Sequence, residues 1–165
     1  MKKLNSVLLV FISIIVALSF SACKNTQEQP TPNSTPESVI ETFYKAWETS
    51  DGEAFVALTC EPMWEVEAKS ADVSADELKA QLKDSYKAES GSKVYYKILK
   101  TTLFEEDDEE FKSTQKWARD RYNIQIEGYA VVRVTATYDD GEPVTENMEV
   151  IKYKNTWYAK NILGI

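Results

Sequence analysis

Trp47, Trp64, Tyr96 and Trp157 are the side chains of this sequence best suited to hold a ligand. Aromatic faces stack planar molecules and sugars, and a few such faces around a cavity make a binding site. Large aromatics also dominate ordinary protein cores, and core filling is the plainer assignment for the four. Acid–base chemistry would need a carboxylate in an apolar pocket opposite a phenol or a second acid. Glu65, Glu67 and Glu149, with Tyr96 or Tyr129, are of the right types, and no spacing singles out a pair. The chain has no histidine, which excludes Ser-His-Asp and Cys-His catalysis and removes the commonest zinc ligand. Cys60 sits in the apolar run Phe55-Val56-Ala57-Leu58-Thr59 and reads as a small buried hydrophobe. Neighbouring Glu61 would raise its pKa, which disfavours a nucleophile. The acidic run Glu105–Glu110 lacks the alternating spacing and glycine of a calcium loop and reads as a solvated loop before a helix. The expectation is no catalytic residue, no metal and no cofactor. Tyr95, Tyr129, Tyr153 and Tyr158 lie on strands and would mark an interface if one sheet face is open.

The first residues state where the protein works. Lys2 and Lys3 precede an apolar run, Val7 to Phe20, then Ser21, Ala22 and Cys23. A charged start, an apolar stretch and small residues make a secretory signal. Phe20-Ser21-Ala22-Cys23 resembles the bacterial lipobox, in which the cysteine is lipidated and becomes the first mature residue. That resemblance implies a signal peptide over 1–22, a lipid on Cys23, and a domain held at the extracytoplasmic face of the cell membrane. More than one acyl chain is needed for stable anchoring, and a diacylglyceryl group supplies it. Lys24–Pro36 is polar and proline-rich, so residues 23–36 form a disordered tether reaching at most ~45 Å.

The 165-residue chain carries a net charge of −8, and loss of Lys2 and Lys3 makes it more acidic. Nucleic-acid phosphates would repel such a domain, so no nucleic-acid partner is expected. With Cys23 acylated, Cys60 has no disulfide partner, and core packing must hold the fold together.

Residues 37–165 read as one α+β domain, with N-terminal helices packed on a curved antiparallel sheet. Ser34 and Thr35 before Pro36 start a first helix, with Glu37 as capping-box partner, and Val39, Ile40, Phe43, Tyr44 and Trp47 recur at helical spacing. Ser50-Asp51-Gly52-Glu53 opens a short helix to about Cys60. Pro62–Glu65 makes a turn or short helix. Ser74-Ala75-Asp76-Glu77 caps a helix that ends at Gly91. Strand formers then fill Lys93–Phe104, with Val94, Tyr96 and Ile98 on one face and Tyr95, Leu99 and Leu103 on the other. Phe111–Tyr122 is helical. Glu127–Tyr138, Thr145–Lys154 and Trp157–Leu163 form a meander with tight turns at Asp139–Glu142 and Asn155-Thr156.

The order of these elements, the helix Ser38–Trp47 followed by Ser50–Phe55, and the ending Val150–Tyr158 with its Trp-Tyr pair resemble the nuclear transport factor 2-like superfamily. The acidic run and the helix within 105–124 are additions to that pattern. The resemblance implies a cone whose sheet curls round a long helix and leaves a pocket at its mouth. It implies a binding or interaction module for a small ligand, envelope component or protein partner, or alternatively an isomerase- or dehydratase-like enzyme using the pocket. It also implies a homodimer through the sheet face. Fold alone does not choose among these.

Overall fold

The computed structural model describes residues 33–139 and 141–161. The signal segment, Cys23 and most of the tether lie outside them. Local chemistry sets the helix starts. Thr35 caps α1 (Pro36–Thr49), accepting from Ser38 N–H, and Pro36 occupies the first turn, where a missing N–H costs nothing. The reciprocal partner is the Ser38 hydroxyl, not Glu37 as the sequence suggests: it lies 3.0 Å from Thr35 N. Asp51, rather than Ser50, caps α2 (Gly52–Val56), while Ser50 ends α1 in the left-handed region. Glu53 turns away from that cap and pairs with Lys83. The Pro62 segment is a ten-residue helix, α3 (Glu61–Ser70). Ser74 and Glu77 form the expected reciprocal cap of α4 (Ala75–Glu89).

Four antiparallel strands follow as a simple meander: β1 (Val94–Phe104), β2 (Gly128–Tyr138), β3 (Val144–Tyr153) and β4 (Thr156–Ala159). Lys154 and Asn155, at φ 50° and 62°, make the two-residue turn into β4, one residue earlier than expected. A bulge at Leu99 shifts the β1–β2 register between Ile98 and Lys100. That one residue moves the second half of β1 across the pleat, so Leu103 shares a face with Val94, Tyr96 and Ile98 instead of with Tyr95.

Helices pack on both faces of the sheet, on the outer one only at the end that holds Tyr129 and Ile151. On the inner face Ala130, Val132, Val134, Ala136 and Val150 pack with α1 residues Val39, Ile40 and Tyr44 and with Trp64 of α3. Trp157 lies in this layer against Gly128, where an added Cβ would sit 3.0 Å from the indole ring. On the outer face α5 (Glu109–Tyr122) lays Phe111, Thr114, Ala118 and Tyr122 on the sheet. With Cys60, Met63, Ile124, Ile126, Tyr129 and Ile151, the three apolar ones among them, Phe111, Ala118 and Tyr122, form a second core cluster. The spacing of Phe111, Ala118 and Tyr122 is the expected helical stripe. What it packs on was not apparent from the sequence.

This second layer corrects one expectation. Tyr129 is 5 % exposed, stacked on Phe104 beneath α5, and presents nothing to a partner. Tyr153 and Tyr158 pack against the same cluster and are only half-exposed. Tyr95 alone of the four stands free, at 57 % exposure.

Candidate functional site

The four predicted aromatic residues do not meet in one place. Trp64 is fully buried, and its indole N–H donates to the carbonyls of Val56 (3.2 Å) and Thr59 (3.1 Å). It fastens α3 to the end of α2. Trp157 fills the inner layer. Trp47 and Tyr96 do approach each other, through two tyrosines that the sequence reading passed over.

Those two are Tyr44 of α1 and Tyr138 at the end of β2. The Tyr96 ring stacks on Tyr44 at 4.5 Å and 17°. Tyr138 lies 6.5 Å from Tyr44 and makes an edge contact with Trp47 at 5.7 Å. Trp47 in turn meets Tyr86 edge-on at 5.6 Å, and its buried indole N–H finds no acceptor among the described residues. Tyr44 Oη donates to Glu146 Oε1 at 2.7 Å. Glu146 is exposed on the inner face of β3. All these residues fall at one end of the sheet, where β1 begins, β2 ends and β3 begins.

Burial, and then the Glu146 carboxylate, hold the Tyr44 hydroxyl far above the usual phenol range. Tyr138 is raised by burial and Glu146, and Tyr96 by burial and then Glu41 and Glu48. All three phenols therefore stay protonated at neutral pH. They can donate hydrogen bonds and offer ring faces, and none can act as a base there.

A cleft of 280 Å³ adjoins the cluster at the edge of β3, lined by Phe43, Glu146, Met148, Glu149 and Ala159. β4 pairs only with Val150–Tyr153, and the strand beyond is left open apart from Lys160 N–H donating to Glu149 C=O at 2.9 Å. Glu149 is ion-paired to Lys160, whose ammonium lies 5.0 Å from the Trp117 ring and 5.5 Å from that of Tyr129. Glu149 and Tyr129 are thus neighbours, as the sequence allowed, but the lysine ties up the carboxylate.

Glu67 has another task. It is 3 % exposed and accepts from Tyr122 Oη at 2.7 Å, with Arg121 Nη2 at 2.9 Å from Oε1. Its bonds run to the last turn of α5, so they lock α5 to α3. Glu65 lines an open surface depression beside α4. Burial pushes the Cys60 thiol up to about 11, so it is neither a nucleophile nor a ready metal ligand. Among the described residues no group of three or more Cys, Asp or Glu is arranged to hold a metal, and no helix is long and apolar enough to cross a membrane.

Tyr44 is buried and its hydroxyl is spent on Glu146, so the arrangement offers a ligand the Glu146 carboxylate that it holds at the cleft, and beside it the partly exposed ring of Tyr96. Tyr44 and Glu146, which carry it, are 102 residues apart in sequence, so no local motif signals them. No family model, curated protein or solved structure matches the chain.

Proposed function

We propose that this chain is an extracytoplasmic lipoprotein, held to the cell membrane by lipid on Cys23, whose nuclear transport factor 2-like domain binds a small ligand or envelope component without turning it over. The observation that carries the binding reading is the Tyr44–Glu146 pair beside the 280 Å³ cleft. A base working in such a pocket needs a carboxylate shielded from water, and Glu146 is exposed. Helices preceding an antiparallel meander, and the strand–turn–Trp-Tyr ending, support the superfamily reading. The lipobox-like Phe20–Cys23 supports the anchor.

Thermal unfolding against a panel of envelope fragments and metabolites tests the binding. A ligand at 100 times its Kd adds ~2.7 kcal/mol, a shift of several degrees. The shift should vanish in Glu146→Gln combined with Tyr44→Phe. A shift that survives both changes overturns this site, and turnover of the bound compound would favour the isomerase or dehydratase alternative.

Cys23→Ala tests the anchor separately. Lipid labelling should stop and the precursor should accumulate uncleaved. Normal processing and normal labelling in that variant would refute lipidation at Cys23.

A further inference from the structure

Four of the five large apolar side chains that stand exposed among the described residues are on β1: Tyr95 at 57 %, Tyr96 at 38 %, Leu99 at 47 % and Leu103 at 60 %. β1 is also an edge strand, bonded only to β2 over its eleven residues. An unpaired edge with apolar side chains is a template for another strand. Lys97, Lys100 and the bulge at Leu99 restrict what can pair there. They bar a random partner and favour one whose register matches.

We infer that β1 pairs antiparallel with β1 of a second copy, joining two four-stranded sheets into one of eight strands. The bulge and the lysines together determine the register. Because of it, Val94, Tyr96, Ile98, Thr101 and Leu103 share the inner face, while Tyr95, Lys97, Thr102 and Phe104 share the outer one. A two-fold axis perpendicular to the sheet keeps each face on its own side. Like faces then meet in two full-length alignments, and the one centred between Ile98 and Leu99 sets Lys97 against Lys100, which leaves the one centred between Leu99 and Lys100. It sets Tyr95 opposite the second copy's Phe104, Tyr96 opposite Leu103, Lys97 opposite Thr102, and Ile98 opposite Thr101. No lysine stands directly across from a lysine, and the two bulges coincide on the axis. Beyond the strand ends, Lys93 of each copy comes to the side of the acidic turn Glu105–Asp108 of the other, which includes Glu106, giving two opposite-charge contacts per dimer. Residues 92–104 contain no acid in an otherwise acidic chain, so this edge brings little acid–acid repulsion to a pair of copies. The surface differs from a sheet-face dimer, which would use the outer face that α5 covers at its Tyr129 end and leaves exposed around Arg133.

The test uses the full chain in detergent. Its protein mass should be that of two copies. Leu103→Glu, which puts a carboxylate against Tyr96, should weaken the dimer at least about tenfold. Lys93→Glu should weaken it by about threefold to tenfold through its two symmetric contacts, and Lys93→Glu with Glu106→Lys should restore it to within about twofold. In Lys97→Cys/Thr102→Cys, mild oxidation should link two copies on a non-reducing gel. Two cysteines five residues apart on one strand are too distant to bridge within a chain, and Cys60 is buried. A single-copy mass at every concentration overturns the inference. So does a dimer that ignores Leu103→Glu and the charge reversal, or a cysteine pair that never links.

Discussion

Trp64→Ala lowers the stability of the domain by about 4 kcal/mol, the cost of removing a buried tryptophan from a packed core. Trp64 is 1 % exposed in the inner core cluster. Deleting its ring opens a cavity among side chains held by α1, α3 and the sheet, which cannot all collapse at once. The substitution also strips a donor from the Val56 and Thr59 carbonyls, which the indole N–H serves together. A loss of this size is a large part of the 5–15 kcal/mol that holds an ordinary domain together, and the melting temperature should fall by roughly 15 °C. Urea unfolding followed by circular dichroism measures it. Tyr95→Ala, at an exposed aromatic, should change stability by less than about 0.5 kcal/mol. Equal losses at the two positions would mean that Trp64 is not the keystone of this layer.

The second large effect is an asymmetry. Arg121→Met should cost about 3 kcal/mol, and Glu67→Met about 1–2 kcal/mol. The two residues form one ion pair, but they are not buried alike. The Glu67 side chain is 3 % exposed and that of Arg121 is 41 % exposed. Removing the arginine strands a carboxylate inside the protein, with only the Tyr122 hydroxyl left to serve it. Removing the glutamate leaves an arginine that can turn to water and a methionine that fills the space, and its cost is the Tyr122 hydroxyl left without an acceptor. The double variant should lie near Glu67→Met, because the stranded charge is then gone. Urea midpoints of the three variants decide the matter. A larger loss for Glu67→Met would show that the carboxylate, and not its neutralisation, holds α5 to α3.

Local chemistry explains how far the chain can be read without its structure. The Ser74–Glu77 cap, the alternation of Ala130, Val132, Val134 and Ala136, and the stripe Phe111, Ala118, Tyr122 all depend on neighbours within a turn or two. Errors were local too. Ser38 took the capping role expected of Glu37, because the cap is Thr35 and the residue three positions on, which can reach back to its N–H, is Ser38. The bulge at Leu99 left no trace in composition, yet it reversed the face of Leu103. The aromatic set mixed two kinds of residue, because burial of Trp64 and stacking of Tyr96 depend on what lies across the fold.

The amino-acid order alone determined the α+β class, the antiparallel meander, the absence of histidine chemistry and the lipobox-like start. These follow from periodicity, turn residues and residue types, all of which act at short range. Only the tertiary structure decided that α5 packs on one end of the outer face and buries Tyr129, that Glu67 is a tie between helices, and that Tyr44, Tyr138 and Glu146 meet beside a cleft. Each of these joins residues distant in sequence. Such contacts form because apolar stripes must find one another to leave water, and the chain carries no local record of which stripe meets which.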